Sequence, residues 1–116
     1  MSTTQNDTPQ LTPAEAVERV EAGAVLLDVR EDDEWHAGHA AAARHLPLGR
    51  LQGEHTSLPG DRPIVAVCRS GARSDRAATA LRRAGYDAAN LAGGMKAWAA
   101  AGQPVVSDDG GAGTVI

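Results

Sequence analysis

Two largely apolar runs, AVLLDV at 24–29 and PIVAV at 63–67, place the strongest constraint on how this chain of 116 residues folds. A strand without alternating polar residues is typical of a parallel sheet that is covered on both faces. Each run is followed by a helical pattern, and strands that alternate with helices along a short chain indicate an α/β layer structure. The sequence therefore predicts a single three-layer α/β domain, in which helices flank a central, mainly parallel β-sheet of about five strands.

The helix and strand signals lie within residues 11–106, which we predict to form the domain. The clearest helix signal is a capping box, in which Thr12 is the N-cap and Glu15 follows three residues later. The polar residues 1–10 and the Gly- and Asp-rich residues 107–116 are predicted to be flexible segments. The other helix predictions are 31–38, 48–58, 74–85 and 95–102, and the other strand predictions are 44–48 and 88–92.

Composition excludes several classes of protein. No window of about eighteen apolar residues is present, which argues against a membrane span, and the polar N-terminus lacks the features of a signal sequence. The single cysteine cannot form a disulfide within the chain, as is usual in a reducing compartment. The net charge of −4, from 11 basic and 15 acidic residues, offers no basic surface for nucleic acid. We therefore expect a cytoplasmic protein that binds neither nucleic acid nor a membrane.

The only cysteine, Cys68, comes directly after the second apolar run and begins the sequence CRSGARS. The carboxyl ends of parallel strands are where α/β sheets bind ligands. A tight turn from a strand into a helix also directs several backbone N–H groups to one point. A thiol there would lose its proton easily, because N–H dipoles and nearby arginines stabilise the thiolate. We interpret Cys68 as reactive, although a free cysteine at a strand end can also be a small buried apolar residue.

The six residues after Cys68 complete the predicted active-site loop. Arg69 and Arg73 add positive potential, and Gly71 permits a turn that is closed to residues with a Cβ. Two serines offer hydroxyl donors, and the second of them, Ser74, could also cap the following helix. The predicted substrate-binding loop is Arg69, Ser70, Gly71, Ala72, Arg73 and Ser74.

The spacing between Cys68 and Arg73 distinguishes a loop that binds phosphate from one that encloses a single sulfur atom. Cysteine-dependent phosphatases use the motif C-x5-R, whose loop is wide enough for a tetrahedral phosphate, whereas four residues separate the pair here. A ring that closes one residue earlier is expected to enclose a single sulfur atom and to fit phosphate poorly. The spacing therefore argues against a phosphatase or an arsenate reductase, for which no aspartate is evidently placed as a general acid either.

Several segments, in this order, resemble the single-domain rhodanese family of sulfurtransferases. The segments are LLDVREDDEWHAGH (26–39), LPL (46–48), VAVCRSGARS (65–74) and LRRAGYDAANLAGGMKAW (81–98). The likeness covers about residues 11–105. The chain departs from the family pattern at residues 40–43, where AAAA replaces an apolar residue and Pro-Gly-Ala.

The resemblance implies a rhodanese-like fold and a ping-pong transfer of sulfur with Cys68 as the catalytic residue. The Cys68 thiolate would take a sulfane sulfur from a small donor such as thiosulfate, hold it as a persulfide, and pass it to cyanide or a thiol. A sulfur-carrier protein is a further candidate acceptor, and no metal or organic cofactor is implied. Arg69 and Arg73 would attract the charged donor and stabilise the departing sulfite. The alternative is a non-catalytic rhodanese-like interaction module, although such modules commonly lack the cysteine that this chain keeps.

Four residues outside the loop are candidates for structural support of the site. Asp28 lies near the end of the first apolar run, and Arg30 follows directly after it. Arg30 could approach the substrate, but an ion pair with Glu34 or a hydrogen bond to a loop carbonyl is the stronger prediction. His39 is expected to stabilise the fold rather than to act as a general base, because a thiolate nucleophile needs no base. The other histidines show no spacing that would indicate a metal site.

Overall fold

Five short strands pair in parallel to form one sheet in the computed structural model, which describes residues 7–116. The two apolar runs form its centre, where all eight residues of two paired strands are buried. The order across the sheet is β1-β5-β4-β2-β3, so the predicted parallel sheet of about five strands is confirmed. The strands are β1 (Gln10–Leu11), β2 (Val25–Asp28), β3 (Arg44–His45), β4 (Ile64–Val67) and β5 (Ala88–Leu91).

Helices cover both faces of the sheet, which confirms the three-layer architecture. The helices are α1 (Pro13–Glu21), α2 (Asp32–Ala37), α3 (Leu48–Glu54), α4 (Ala72–Arg83) and α5 (Gly94–Ala100), and one 3-10 turn spans His55–Ser57. Leu51 of α3 and Leu81 of α4 pack on one face together with Cys68. Ala16 of α1 and Trp98 of α5 pack on the other face. No helix within residues 7–116 is long and apolar enough to cross a membrane.

The capping box at the start of α1 is present as predicted. The backbone N–H of Glu15 donates to the Thr12 hydroxyl at 3.2 Å, and the Glu15 carboxylate accepts from the Thr12 backbone N–H at 2.9 Å. Both ends of the box therefore satisfy N–H groups that a helix start leaves without partners.

The start of α4 differs from the prediction. The helix begins at Ala72, two residues before the predicted start, and its N-cap is Gly71 in the left-handed region at φ +111°. The proposed capping role of Ser74 is therefore wrong. Because Ser74 lies inside the first turn, its hydroxyl is directed toward the end of β4 instead of toward the helix terminus.

The two segments predicted to be flexible contain ordered contacts where the structure describes them. Residues 1–6 lie outside the described residues, Thr8 is buried, and Gln10 belongs to β1. In the C-terminal segment, the backbone N–H of Thr114 donates to the Ala37 carbonyl at 2.9 Å. The domain boundaries themselves stay predictions.

Candidate active site

The sulfur of Cys68 lies at the end of β4, within a ring of hydrogen-bond donors. The residue is 1% exposed. The Gly71 backbone N–H donates to Sγ at 3.1 Å, and the Ser74 hydroxyl lies 3.3 Å from the same atom. Burial raises the pKa of the Cys68 thiol, but the Ser74 hydroxyl and the backbone N–H groups of Ser74, Gly71 and Ser70 together outweigh it, so the pKa is lowered. The site therefore stabilises the thiolate of Cys68 relative to that of a free cysteine.

The amino end of α5 fixes the orientation of the loop peptides. The backbone N–H groups of Met95 and Lys96 donate to the carbonyls of Cys68 and Arg69 at 2.7 and 3.0 Å. Because a trans peptide points its N–H away from its C=O, holding the Arg69 carbonyl against α5 turns the next N–H, that of Ser70, toward the sulfur. Two N–H groups of a helix start thus determine which way the cysteine loop directs its own donors.

This close approach of α5 requires glycine at position 94. Gly94 lies at φ +60°, and a Cβ there would come within 2.5 Å of the carbonyl carbon and oxygen of Arg69. Gly93 precedes it at φ +80°, so both glycines lie in the left-handed region, which residues with a side chain rarely adopt. The glycine pair is the structural reason that α5 can reach the loop.

Arg73 does not stand free beside the sulfur. Its guanidinium donates to both carboxylate oxygens of Glu34 at 2.7 and 2.8 Å. This pairing lowers the pKa of Glu34 to about 2, against burial, which raises it, and it raises the pKa of Arg73. The Glu34 carboxylate also accepts the Glu31 backbone N–H at the start of α2. The Glu34 carboxylate therefore offsets the positive charge of Arg73 at the edge of the site.

Asp28 and Arg30 form a buried ion pair at the end of β2. Arg30 is fully buried and donates to both Asp28 carboxylate oxygens at 2.8 to 3.1 Å. It also donates to the Gly38 carbonyl at 2.7 Å, so the predicted bond to a loop carbonyl is confirmed. The other alternative, an ion pair with Glu34, does not form, because Asp28 pairs with Arg30 in the same buried space while Glu34 pairs with Arg73.

His39 stacks on Trp35 and bonds to its backbone. The two rings lie 3.7 Å apart and nearly parallel, and His39 Nδ1 lies 2.8 Å from the Trp35 carbonyl oxygen. The Trp35 ring also stacks on the His45 ring, with the ring centroids 4.7 Å apart. These contacts hold the segment after α2 in place, and none of them involves the sulfur.

Three of the four remaining loop residues lie toward solvent. Arg69, Ser70 and Ala72 are exposed, and Gly71 is buried. The Arg69 Nε–H donates to the backbone carbonyl of Ile116 at 3.0 Å. Arg69 is thus the loop arginine that lies farther out at the surface, while Arg73 is half-buried against Glu34.

Sequence reasoning did not single out Asn90. This residue of β5 is 2% exposed, and its Oδ1 lies 2.6 Å from the Ser74 hydroxyl. The signal was present in the sequence, because an asparagine within the short apolar run AANLA must find hydrogen-bond partners when it is buried. The structure places those partners at the cysteine loop. No cluster of three metal-ligating side chains occurs in the described part of the chain.

Comparison with known proteins gives a consistent result. The family model for the Rhodanese-like domain matches residues 12–101. The chain is 41% identical to the uncharacterized protein YqhL of Bacillus subtilis over 76 residues, which cover 65% of this chain and 60% of YqhL. It is 39% identical to a sulfurtransferase of Allochromatium vinosum over 74% of this chain and 81% of that protein. The crystal structure of a rhodanese-related protein from Thermoplasma volcanium superposes with a TM-score of 0.80 at 30% identity, covering 84% of this chain and 97% of that one.

Proposed function

The chain belongs to the rhodanese-like domain family, and we propose that it moves a sulfane sulfur from thiosulfate or a similar donor to a thiophilic acceptor through a persulfide on Cys68. The similarity to proteins named sulfurtransferases supports this type of activity in general. The observation that carries the specific proposal is the buried Cys68 sulfur facing the Gly71 N–H and the Ser74 hydroxyl.

The first half of the reaction forms the persulfide. The Cys68 thiolate attacks the outer sulfur of thiosulfate, a bond forms between the two sulfurs, and the bond to the sulfonate sulfur breaks. Sulfite leaves with the electron pair of that bond, and the negative charge passes to the terminal sulfur of the persulfide. The donors of the loop, which already face the sulfur, would then stabilise this charge without reorganisation.

The second half discharges the persulfide. Cyanide or a thiolate attacks the terminal sulfur, takes it, and leaves Cys68 as a thiolate. Because Cys68 is the only cysteine of the chain, no second thiol of this chain can take the sulfur, so the acceptor comes from outside. A small thiol or a sulfur-carrier protein meets this requirement.

The two loop arginines contribute unequally in this proposal. Arg73 is paired with Glu34 through two hydrogen bonds, so the pair adds little net charge for a dianionic donor. Arg69 is exposed at the surface, and no side-chain ion pair involves it in the part of the chain that the structure describes. We therefore assign donor attraction and sulfite stabilisation mainly to Arg69, with Arg73 positioning the loop through Glu34.

The same pairing weighs against phosphoryl transfer. A phosphatase of this type would need the loop arginine to bind phosphate oxygens, and here the Arg73 guanidinium already binds a carboxylate that stays ionised down to about pH 2. Together with the C-x4-R spacing, this leaves the sulfurtransferase as the better-supported function. The retained cysteine in turn disfavours a purely non-catalytic module.

Intact-mass spectrometry after incubation with thiosulfate tests the proposal. We expect the wild-type protein to gain the mass of one sulfur atom, to lose it on addition of cyanide, and Cys68→Ser to gain nothing. Aryl phosphate hydrolysis, measured on the same two samples, should stay at background. Absence of the heavier species with thiosulfate and with organic persulfide donors would favour the interaction module, and hydrolysis that disappears in Cys68→Ser would favour the phosphatase.

A further inference from the structure

A line of hydrogen bonds leads from the buried Cys68 sulfur to the surface of the domain. It passes from the Ser74 hydroxyl to Asn90 at 2.6 Å, from Asn90 to Gln10 at 2.8 Å, and from Gln10 to Asp75 at 2.7 Å. Gln10 and Asn90 are register partners on the parallel strands β1 and β5. The two-residue strand β1 thus brings a side chain from the beginning of the fold into the network of the active site.

Which atom donates in each hydrogen bond of this line can be deduced by starting from Asp75, at its outer end. A carboxylate only accepts, so the amide nitrogen of Gln10 faces Asp75, and the same nitrogen also donates to the Thr8 carbonyl at 3.2 Å. The Gln10 amide oxygen therefore faces Asn90 and accepts from its Nδ2. Asn90 Nδ2 donates as well to the carbonyl of Gly71 at 3.2 Å.

It follows that Asn90 presents its oxygen to Ser74. Because Oδ1 carries no proton, the short bond between the two side chains requires the Ser74 hydroxyl to donate. That hydroxyl has one proton, and the Cys68 sulfur, 3.3 Å away, needs the same proton when it is a thiolate. All three residues are buried, so bulk water does not supply a replacement donor at the Ser74 position.

We propose that Asn90 is a positioning residue that competes with the Cys68 sulfur for the single proton of the Ser74 hydroxyl. While Cys68 is a thiol, its S–H donates to Ser74 and Ser74 donates to Asn90. When the sulfur becomes a thiolate or a persulfide anion, the Ser74 O–H rotates to it and Asn90 loses its donor. Asn90 thereby opposes ionisation of Cys68 by the free energy of one hydrogen bond, and Ser74 favours it.

The charged groups around the sulfur do not explain this effect. Arg73, paired with Glu34, faces Cys68 from α4, Arg69 lies at the surface of the loop, and Asp75 ends the hydrogen-bond line. Replacing Asn90 leaves all four charges in place. A change in the ionisation of Cys68 in such a variant therefore reports on the Ser74 proton.

The inference rests on ionisation of Cys68, which the proposed function also needs, but it is tested without any sulfur donor. The rate of alkylation by iodoacetamide as a function of pH gives the acid ionisation constant of the thiol. Ser74→Ala should lower this constant about tenfold, since a hydrogen bond to a charged group is lost. Asn90→Leu, of similar size, should raise it about threefold, since a competing neutral acceptor is removed.

The double variant separates this competition from a general structural role. In the Ser74→Ala background, Asn90→Leu should leave the ionisation constant unchanged. The proposal would be overturned if the ionisation constant of Cys68 in Asn90→Leu were equal to or lower than that of wild type. It would also be overturned if Asn90→Leu raised this constant threefold in the Ser74→Ala background. If Asn90→Leu does not fold, Gln10→Ala at the exposed end of the line applies the same two criteria, with a smaller rise expected because the Asn90 amide becomes free to turn. If the ionisation constants follow this pattern but thiosulfate transfers no sulfur, only the proposed function fails.

Discussion

Replacing Gly94 by alanine should uncouple α5 from the cysteine loop. A Cβ at this position would lie 2.5 Å from the carbonyl carbon and oxygen of Arg69, whereas ordinary contacts begin near 3.4 Å. The two segments would therefore separate by about 1 Å, a distance typical of the misplacements that cost enzymes most of their rate. The bond from the Met95 N–H to the Cys68 carbonyl, now 2.7 Å, would lengthen beyond hydrogen-bond range.

The expected loss of stability has two parts. An alanine at positive φ costs about 1–2 kcal/mol, and the loss of the two bonds from α5 to the loop costs about 1–3 kcal/mol more. The matched control is Gly102→Ala, which follows the same helix at φ +82° with nothing within 4 Å of its Cβ. The control carries only the backbone cost, so its Tm should fall by about 4–8 °C, and that of Gly94→Ala by roughly twice as much.

The two variants should differ even more in sulfur-transfer activity than in stability. In a thiosulfate–cyanide assay, kcat/KM of Gly94→Ala should fall by about 100-fold, because the N–H groups of the loop no longer converge on the sulfur. Gly102→Ala should stay within about twofold of wild type. Circular dichroism at the assay temperature confirms that both variants are folded. A folded Gly94→Ala protein with wild-type activity, or one whose Tm falls no further than that of Gly102→Ala, would refute the role assigned to α5.

Two further predictions concern the ion pairs beside the site. The pKa of Glu34 is about 2 in the folded protein against an ordinary 4.5, so its stabilising effect, about 3 kcal/mol, is complete above the ordinary value and is lost as the pH falls toward 2. In wild type, the free energy of unfolding measured with urea should therefore fall as the pH is lowered across that range. In Glu34→Gln it should fall less steeply with pH, and equal slopes of unfolding free energy against pH in the two proteins would contradict the prediction. Asp28→Asn leaves the buried Arg30 charge without its partner and should cost about 3–5 kcal/mol in guanidinium chloride unfolding, whereas a loss below about 1 kcal/mol would show that the pair is not needed.

The parts of the fold that could be predicted from the sequence are those with a local cause. The capping box at Thr12 depends on two side chains three residues apart, and the strands at the centre of the sheet depend on largely apolar runs. The strand β1 has two residues and no pattern, since it exists only because β5 offers it an edge. The sequence pattern places the start of α4 two residues too late, because a glycine N-cap at positive φ gives no side-chain capping signal.

The sequence predicts the partners in ion pairs less well than it predicts the helices and strands. Arg30 and Glu34 are four residues apart, which is the spacing of a helical pair, but Arg30 lies before α2 and faces the interior instead. Burial decides which carboxylate pairs with Arg30: Asp28 lies within 3.1 Å of the Arg30 guanidinium. Glu34, at the edge of the site, pairs instead with Arg73 of α4, which is remote in sequence. Such a choice depends on the packed structure and not on spacing.

The hydrogen-bond environment of the Cys68 sulfur therefore depends on two parts of the chain that no local motif connects. The CRSGARS segment supplies the donors, from Ser70, Gly71 and Ser74, but the segment after β5 determines how they point. The N–H groups at the start of α5 bind the loop carbonyls, and Asn90 determines which acceptor receives the proton of Ser74. A chain with the same cysteine loop but a side chain at the position of Gly94 should consequently fold in the same way and hold an ordinary, unreactive thiol. The paired glycines after the last strand are thus as much a part of the site as the cysteine loop itself.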